Sequence, residues 1–383
     1  MVRKIEYLIK RKEAFAMVLV LSLLSNTLLL GSAYASSNGI EIPTYMVTTR
    51  GSTGYPVPVN GSAYPDNYNF SNIDTLLQTC PPEIAIFVHG WNATSDKARE
   101  QLGRVKMSLE NNKYYNTHLI GYSWKSDIGW NDSKVLANKE GAILAQLITR
   151  LIQECNGNNE NNMAIRLLGH SLGSRVILSS LCALDNITSS SDGFKQIQSV
   201  HLMGAAVDDE EVSKNQSDID HSLFDDEIVY GNAIERNVVT FTNLYSLEDD
   251  MLERRDEIEN EADVYPYFEK DDALGSLSIQ QAFRDEIDHL PSNFKEKNVT
   301  DEILTIEDAD AGAIIEEKGS ECDVRKYNST WSLTCTISPT DKGDNHLGYM
   351  GFRDSINSSR LIANDGDGAI NIVVSDWLQT RRY

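Results

Sequence analysis

The sequence predicts an α/β fold, a mostly parallel central sheet with helices on both faces. Three observations carry this. Short apolar strand patterns alternate with helical patterns along most of the chain. Gly169-His170-Ser171-Leu172-Gly173 stands between a strand, Ala164 to Leu168, and a helical pattern running from Ser174 to Leu184. Upstream, the apolar strand Glu83 to Val88 ends in His89-Gly90.

The elements follow in order. A first strand lies near Tyr45 to Thr49, before a polar loop rich in Pro, Gly and Asn. Thr117 to Trp124 is a further core strand. Lys134 to Gln153 carries Leu136, Ile143, Leu144, Leu147, Ile148 and Leu151 at helical spacing, as a core-facing helix does. Ser199 to Gly204 and Asn237 to Leu244 read as strands, the second strongly β-prone. Ala369 to Leu378 closes the domain as a helix, and no internal repeat is visible.

G-x-S-x-G between strand and helix has a mechanical meaning. The turn is tight, the serine is held on a strained bend, and the helix N-terminus points its free N–H groups at the reacting carbon. Ser171 is the candidate nucleophile. With this elbow the acid and then the histidine follow later in the chain. His89, His118 and His170 precede Ser171, and His201 sits in a strand pattern. His221 and His289 lie in acidic, polar surroundings. His346, on the glycine-flanked loop 343–349, is the candidate general base. The strand ending at Leu244 runs into Glu248-Asp249-Asp250, and the residues alone leave the acid open among these and Asp208. For an oxyanion, one donor is the N–H of Leu172 and the other the N–H of Trp91, just past His89-Gly90. His89 reads as tying that loop down. Trp124 and Trp130 are candidates for a substrate wall, Trp124 foremost, with plain packing the equal alternative.

These motifs, with Gly121-Tyr122-Ser123-Trp124, Asn243-Leu244-Tyr245-Ser246 and His346 with Tyr349, resemble the α/β-hydrolase superfamily in its lipase/esterase neighbourhood. More narrowly, the chain is similar to a poorly characterised set of prokaryotic hydrolases. The N-x-Y-S-x-x-D form of their acid segment points to Asp249. Related proteins often carry a proline after the Ser-Trp pair, where Lys125 stands here. The resemblance implies the fold and a serine-hydrolase mechanism without a cofactor, and leaves the substrate open. The expectation is an exported enzyme cleaving carboxylic esters of small molecules or lipids. The alternative is a non-catalytic cell-surface protein retaining the fold.

Residues 1–13 carry five basic side chains, residues 14–30 are mostly apolar, and Ala33-Tyr34-Ala35 is a cleavage signature. Residues 1–35 therefore read as a secretory signal, with 36–383 the hydrolase domain. A membrane would be met only through an uncleaved N-terminal segment. Export makes disulfides expected. Cys80 and Cys155 each precede one of two strands that are neighbours in this fold, Cys322 and Cys335 flank a short polar segment, and Cys182 remains as a buried thiol. Nine N-x-S/T sequons suit a glycosylated exported chain. The formal charge is −23, which disfavours nucleic acid. Acidity concentrates in residues 248–310, and about 253–340 reads as a helical insertion covering the site. Its apolar face would be Tyr265, Pro266, Tyr267, Phe268 and Leu274. No metal site is assigned, because Asp365-Gly366-Asp367-Gly368 lacks a complete calcium ligand spacing.

Overall fold

A computed structural model describes residues 41–50, 73–156, 163–187, 197–218, 228–253, 273–276, 278, 289–303, 321–327, 330–336, 346–351 and 368–380. The chain divides into Met1–Glu41 and Ile42–Tyr383, and every element below belongs to the second unit. The expected signal segment, Tyr265 to Phe268 and Asp365 to Asp367 lie outside the described residues.

Strands and helices alternate: β1 (Thr44–Thr48), α1 (Asp74–Thr79), β2 (Glu83–Val88), α2 (Ser95–Asn111), β3 (His118–Ser123), α3 (Trp130–Asn156), β4 (Ala164–His170), α4 (Gly173–Ile187), β5 (Ile197–Met203), α5 (Gly231–Asn237) and β6 (Val238–Tyr245). The short α6 (Asp250–Glu253), β7 (Phe294–Asn298), the pair β8 (Glu321–Tyr327) and β9 (Thr330–Thr336), and α7 (Ile370–Gln379) follow. Seven strands form one sheet in the order β1-β3-β2-β4-β5-β6-β7, and every pairing in it is parallel.

Period-two alternation sends each strand's side chains into two cores. Ile84, Ile86 and Val88 of β2 pack in one core with Leu144, Leu147 and Leu151 of α3 and Val176, Ile177 and Leu181 of α4. Ala85 and Phe87 pack in the other with Leu102, Val105 and Leu109 of α2 and Ile370, Val373 and Trp377 of α7. Both faces are covered, so the central strands are largely apolar. Thr94 caps α2 by accepting the Lys97 N–H, a contact of about 1 kcal/mol in such caps. Trp130 opens α3, four residues before the expected start.

The segment expected as a helical cover is different where it is described. Phe294–Asn298 pairs with β6 and extends the main sheet, while β8 and β9 pair antiparallel. Phe294-Lys-Glu-Lys-Asn298 hides its strand character behind charge, which suits an exposed sheet edge. Leu274, expected on the cover's apolar face, is fully buried. The turn around it crosses the ends of β5 and β6: Gly275 N–H donates to the Ala205 carbonyl, and Ser246 N–H to that of Gly275.

Cys80 and Cys155 form a disulfide with Cα atoms 5.3 Å apart. They precede β2 and β4, which lie side by side with Glu83 opposite Ala164 and Val88 opposite Gly169. Cys322 stands directly opposite Cys335 in the β8–β9 register. Cys182 is free and half-buried rather than fully buried, and burial pushes its thiol up to about 11. Non-reducing peptide mapping should therefore recover Cys80–Cys155 and Cys322–Cys335 with one slowly alkylating thiol. Replacing Cys80 and Cys155 by serine should lower stability by up to about 4 kcal/mol in denaturant unfolding, the chain-entropy value for such a loop.

Candidate active site

Ser171 directly follows β4, in the left-handed region at φ +53°. A non-glycine residue there costs about 1–3 kcal/mol and persists only where its surroundings enforce it. They do so here. Ser171 N–H donates to the Met203 carbonyl of β5 at 3.1 Å, and Ser174 N–H to the Ser171 carbonyl at 3.0 Å as α4 begins. A Cβ on Gly173 would lie 2.3 Å from the Val88 carbonyl, and one on Gly90 would lie 2.5 Å from Ser171 Cβ. Only glycine allows the loop after β2 to reach the serine this closely.

That loop is built on His89. Its Nδ1–H donates to the Gly90 carbonyl at 2.9 Å, and its Nε2 accepts the Trp124 N–H at 3.2 Å. Together these bonds require a neutral ring with its proton on Nδ1, and burial holds the imidazole down at about 4. The Gly90 carbonyl and the Trp91 N–H share one trans peptide and point opposite ways. Anchoring the carbonyl on His89 therefore turns the Trp91 N–H away from the histidine. Arg50, at the end of β1, braces the same region by donating to Ser123 Oγ, Asp127 and the Ala93 carbonyl. Nothing in the sequence pattern marked it.

Trp124, expected at the substrate wall, is fully buried. Its indole stacks on His89 and donates to the His89 carbonyl, so it supports the loop from beneath. Among the described residues, the half-buried tryptophans are Trp91 and Trp130, edge to face with centroids 5.5 Å apart. Trp130 also packs on Ala206, Leu252 and Ala273.

His346 Nδ1 donates to Asp249 Oδ2 at 2.8 Å and lies 3.1 Å from Oδ1. Asp249 is fully buried, and Met251 N–H donates to its Oδ1 as α6 begins. The Tyr349 phenol reaches both Asp249 and the Gly275 carbonyl, and burial first, then that carboxylate, raises its ionisation well above the ordinary range. Glu248 is exposed. Asp208 is committed elsewhere: it pairs with buried Arg175 at 3.3 Å and Lys134 at 3.6 Å, beside the Arg175–Glu211 pair. His346 reaches the elbow through its carbonyl, which lies 2.7 Å from His170 Nε2, one residue before Ser171. Among the described residues, no group of three or more His, Cys, Asp or Glu could hold a metal.

A doubly covered parallel sheet that carries a strained serine between its central strand and the next helix is the alpha/beta hydrolase class. The chain belongs to the family described as alpha/beta hydrolase of unknown function (DUF900), whose model matches residues 69–264. That match includes Ser171 and Asp249 and ends before His346. Among solved structures, part of the chain is similar to phospholipase PlaB from Legionella pneumophila. The structure in complex with thio-NAD matches at 15% identity and a TM-score of 0.29, covering 44% of this chain and 39% of that one. A second structure of that phospholipase matches at 14% identity and 0.27, covering 44% and 40%. The chain thus spans about two fifths of the phospholipase's length. No curated protein matches the sequence.

The neutral His89 gives a pH prediction. The folded ring protonates near 4 and the unfolded one near 6.5, so its contribution is complete above about 6.5 and is lost as pH falls toward 4. The full difference is worth roughly 3 kcal/mol. Denaturant unfolding should show wild type well above His89→Asn at pH 7, with the gap narrowing at pH 4.5. A gap independent of pH would remove His89 from this linkage.

Proposed function

We propose that this protein is an exported serine hydrolase that cleaves carboxylic esters through an acyl-enzyme. One observation carries the reading. A strained, buried serine, 7% exposed, directly follows His170, whose ring lies 2.7 Å from the carbonyl of a loop histidine, and that histidine's Nδ1 is held by a fully buried carboxylate.

In this reading Ser171 Oγ attacks the ester carbonyl while His346 Nε2 takes its proton. Asp249 keeps the other imidazole proton on Nδ1 and stabilises the imidazolium as it forms. The tetrahedral oxyanion accepts from the N–H groups of Leu172 and Trp91, each such donor being worth about 10²–10³ in rate. Collapse breaks the bond to the leaving alkoxide, which takes the proton from His346. Water then repeats the sequence on the acyl-serine and releases the acid. No cofactor is needed. Trp91 and Trp130, with Ala206, Leu252 and Ala273 behind them, favour an apolar acyl group from a small-molecule or lipid ester. Residues 1–35 act as the export signal, and the Cys80–Cys155 disulfide supports an oxidising destination, secreted or at the cell surface.

A fluorophosphonate should label wild type covalently, and Ser171→Ala should lose both labelling and esterase activity with little change in unfolding temperature. Undiminished labelling of that variant would sink the assignment. The carboxylates separate by different readouts. Asp249→Asn should cut kcat by about 10⁴-fold, as loss of the orienting acid does in related chemistry. Asp208→Asn should instead lower stability by about 1–3 kcal/mol, because buried Arg175 loses a partner. A large kcat loss in Asp208→Asn with normal stability would move the acid one strand earlier.

A further inference from the structure

His170 is a buried histidine that the ester chemistry above does not use. Its side chain leaves β4 directly before Ser171, and among the described residues it makes one polar contact, Nε2 to the His346 carbonyl at 2.7 Å. Its Nδ1 is buried, with no hydrogen-bond partner among the described residues. A carbonyl only accepts, so the proton of this contact belongs to Nε2, and the bare Nδ1 makes the ring neutral. Burial, and then the neighbouring His346, hold its protonation well below the ordinary histidine range. The two rings lie 4.8 Å apart, and Tyr349 stands 6.3 Å from each.

A leucine or phenylalanine would fill this place without leaving a buried nitrogen bare, which costs about 1–3 kcal/mol. What those residues lack is a donor aimed at the backbone of His346. That residue sits on a loop, and Asp249 holds only one nitrogen of its ring, Nδ1. A ring pinned at one nitrogen can still pivot about that bond and swing its far nitrogen. Fixing the residue's own carbonyl removes the pivot.

We propose that His170 is a positioning residue. Its Nε2–H clamps the main chain of His346, while Asp249 clamps the ring, and the two together aim His346 Nε2 at Ser171. The proposal rests on the serine-hydrolase reading. It does not involve His170 in proton transfer, and no bond to substrate is made.

The test compares His170→Gln, whose amide nitrogen can replace the Nε2 donor, with His170→Phe, which keeps a planar ring and loses the donor. A misplacement of about 1 Å costs about 10²-fold in rate. His170→Phe should therefore lose about 10²-fold in kcat and in the rate of fluorophosphonate labelling, with KM changed less than about twofold. His170→Gln should recover most of the loss. Equal losses in both folded variants, or an unchanged kcat in His170→Phe, would overturn the proposal. If His170→Phe does not fold, ¹⁵N spectra of wild-type histidines decide. A neutral His170 with its proton on Nε2 at pH 7 supports the clamp, and a proton on Nδ1 refutes it. Absence of labelling in wild type would reject the hydrolase reading instead, and the tautomer would still decide whether the clamp exists.

Discussion

The rest of the site depends on how closely the backbone after β2 approaches the turn after β4. The parallel register sets Val88 beside Gly169, so the two chains leave the sheet together. With a side chain on Gly173, a carbon would sit 2.3 Å from the Val88 carbonyl; on Gly90, 2.5 Å from Ser171 Cβ. Neither gap admits a methyl group, and interiors this dense have no slack to provide one. The serine elbow and the His89 loop are therefore packed directly against each other. At the opposite ends of the same strands, Cys80 and Cys155 close a covalent link. β2 and β4 are thus tied both before and after their paired residues.

Histidines maintain this arrangement by staying neutral. His89 and His170 are fully buried, and burial lowers the protonation of both. Each donates to a backbone carbonyl, of Gly90 and of His346. An apolar side chain would leave those carbonyls unpaired, and a charged one would be costly to desolvate. His201 of β5 is also fully buried, and pairs instead with Asp376 of α7 at 3.2 Å. The buried charge at Arg175 has a different character. Glu211 and Asp208 both face it, and desolvation raises Glu211 to about 7 despite the arginine. This cluster holds the segment after β5 against α4 and takes no part in the contact between Asp249 and His346.

Much of the sheet was legible because a strand buried on both faces is mostly apolar, and β2, β4 and β5 each carry a majority of apolar residues. The elbow was legible because its glycines and serine are contiguous. β7 was not: Lys295, Glu296 and Lys297 suit an exposed edge and match the acidic, charged stretch around them in hydropathy. Trp124 was misplaced for a related reason. Its position past the end of β3 suggested the mouth of the site, yet its two nitrogens serve His89 from below. Trp91 and Trp130 occupy the more open places. The Leu274 turn carried no periodicity at all, since its hydrogen bonds run to the ends of β5 and β6 rather than to its neighbours.

The sequence by itself determined the local geometry: which runs are strands, where a serine must sit on a strained turn, and which cysteines precede adjacent strands. Those features depend on residues within a few positions of one another. Tertiary structure decided which of several chemically equivalent side chains meet. Glu248, Asp249 and Asp208 are all carboxylates, and only Asp249 lies under His346, across 97 residues of chain. His170 likewise has a use only once a loop 176 residues later brings its carbonyl to the ring. Such choices turn on distances of a few ångströms set by sheet order and loop path; the residues alone left the acid open, and only the resemblance of the Asn243 to Asp249 segment to a known acid segment pointed to Asp249.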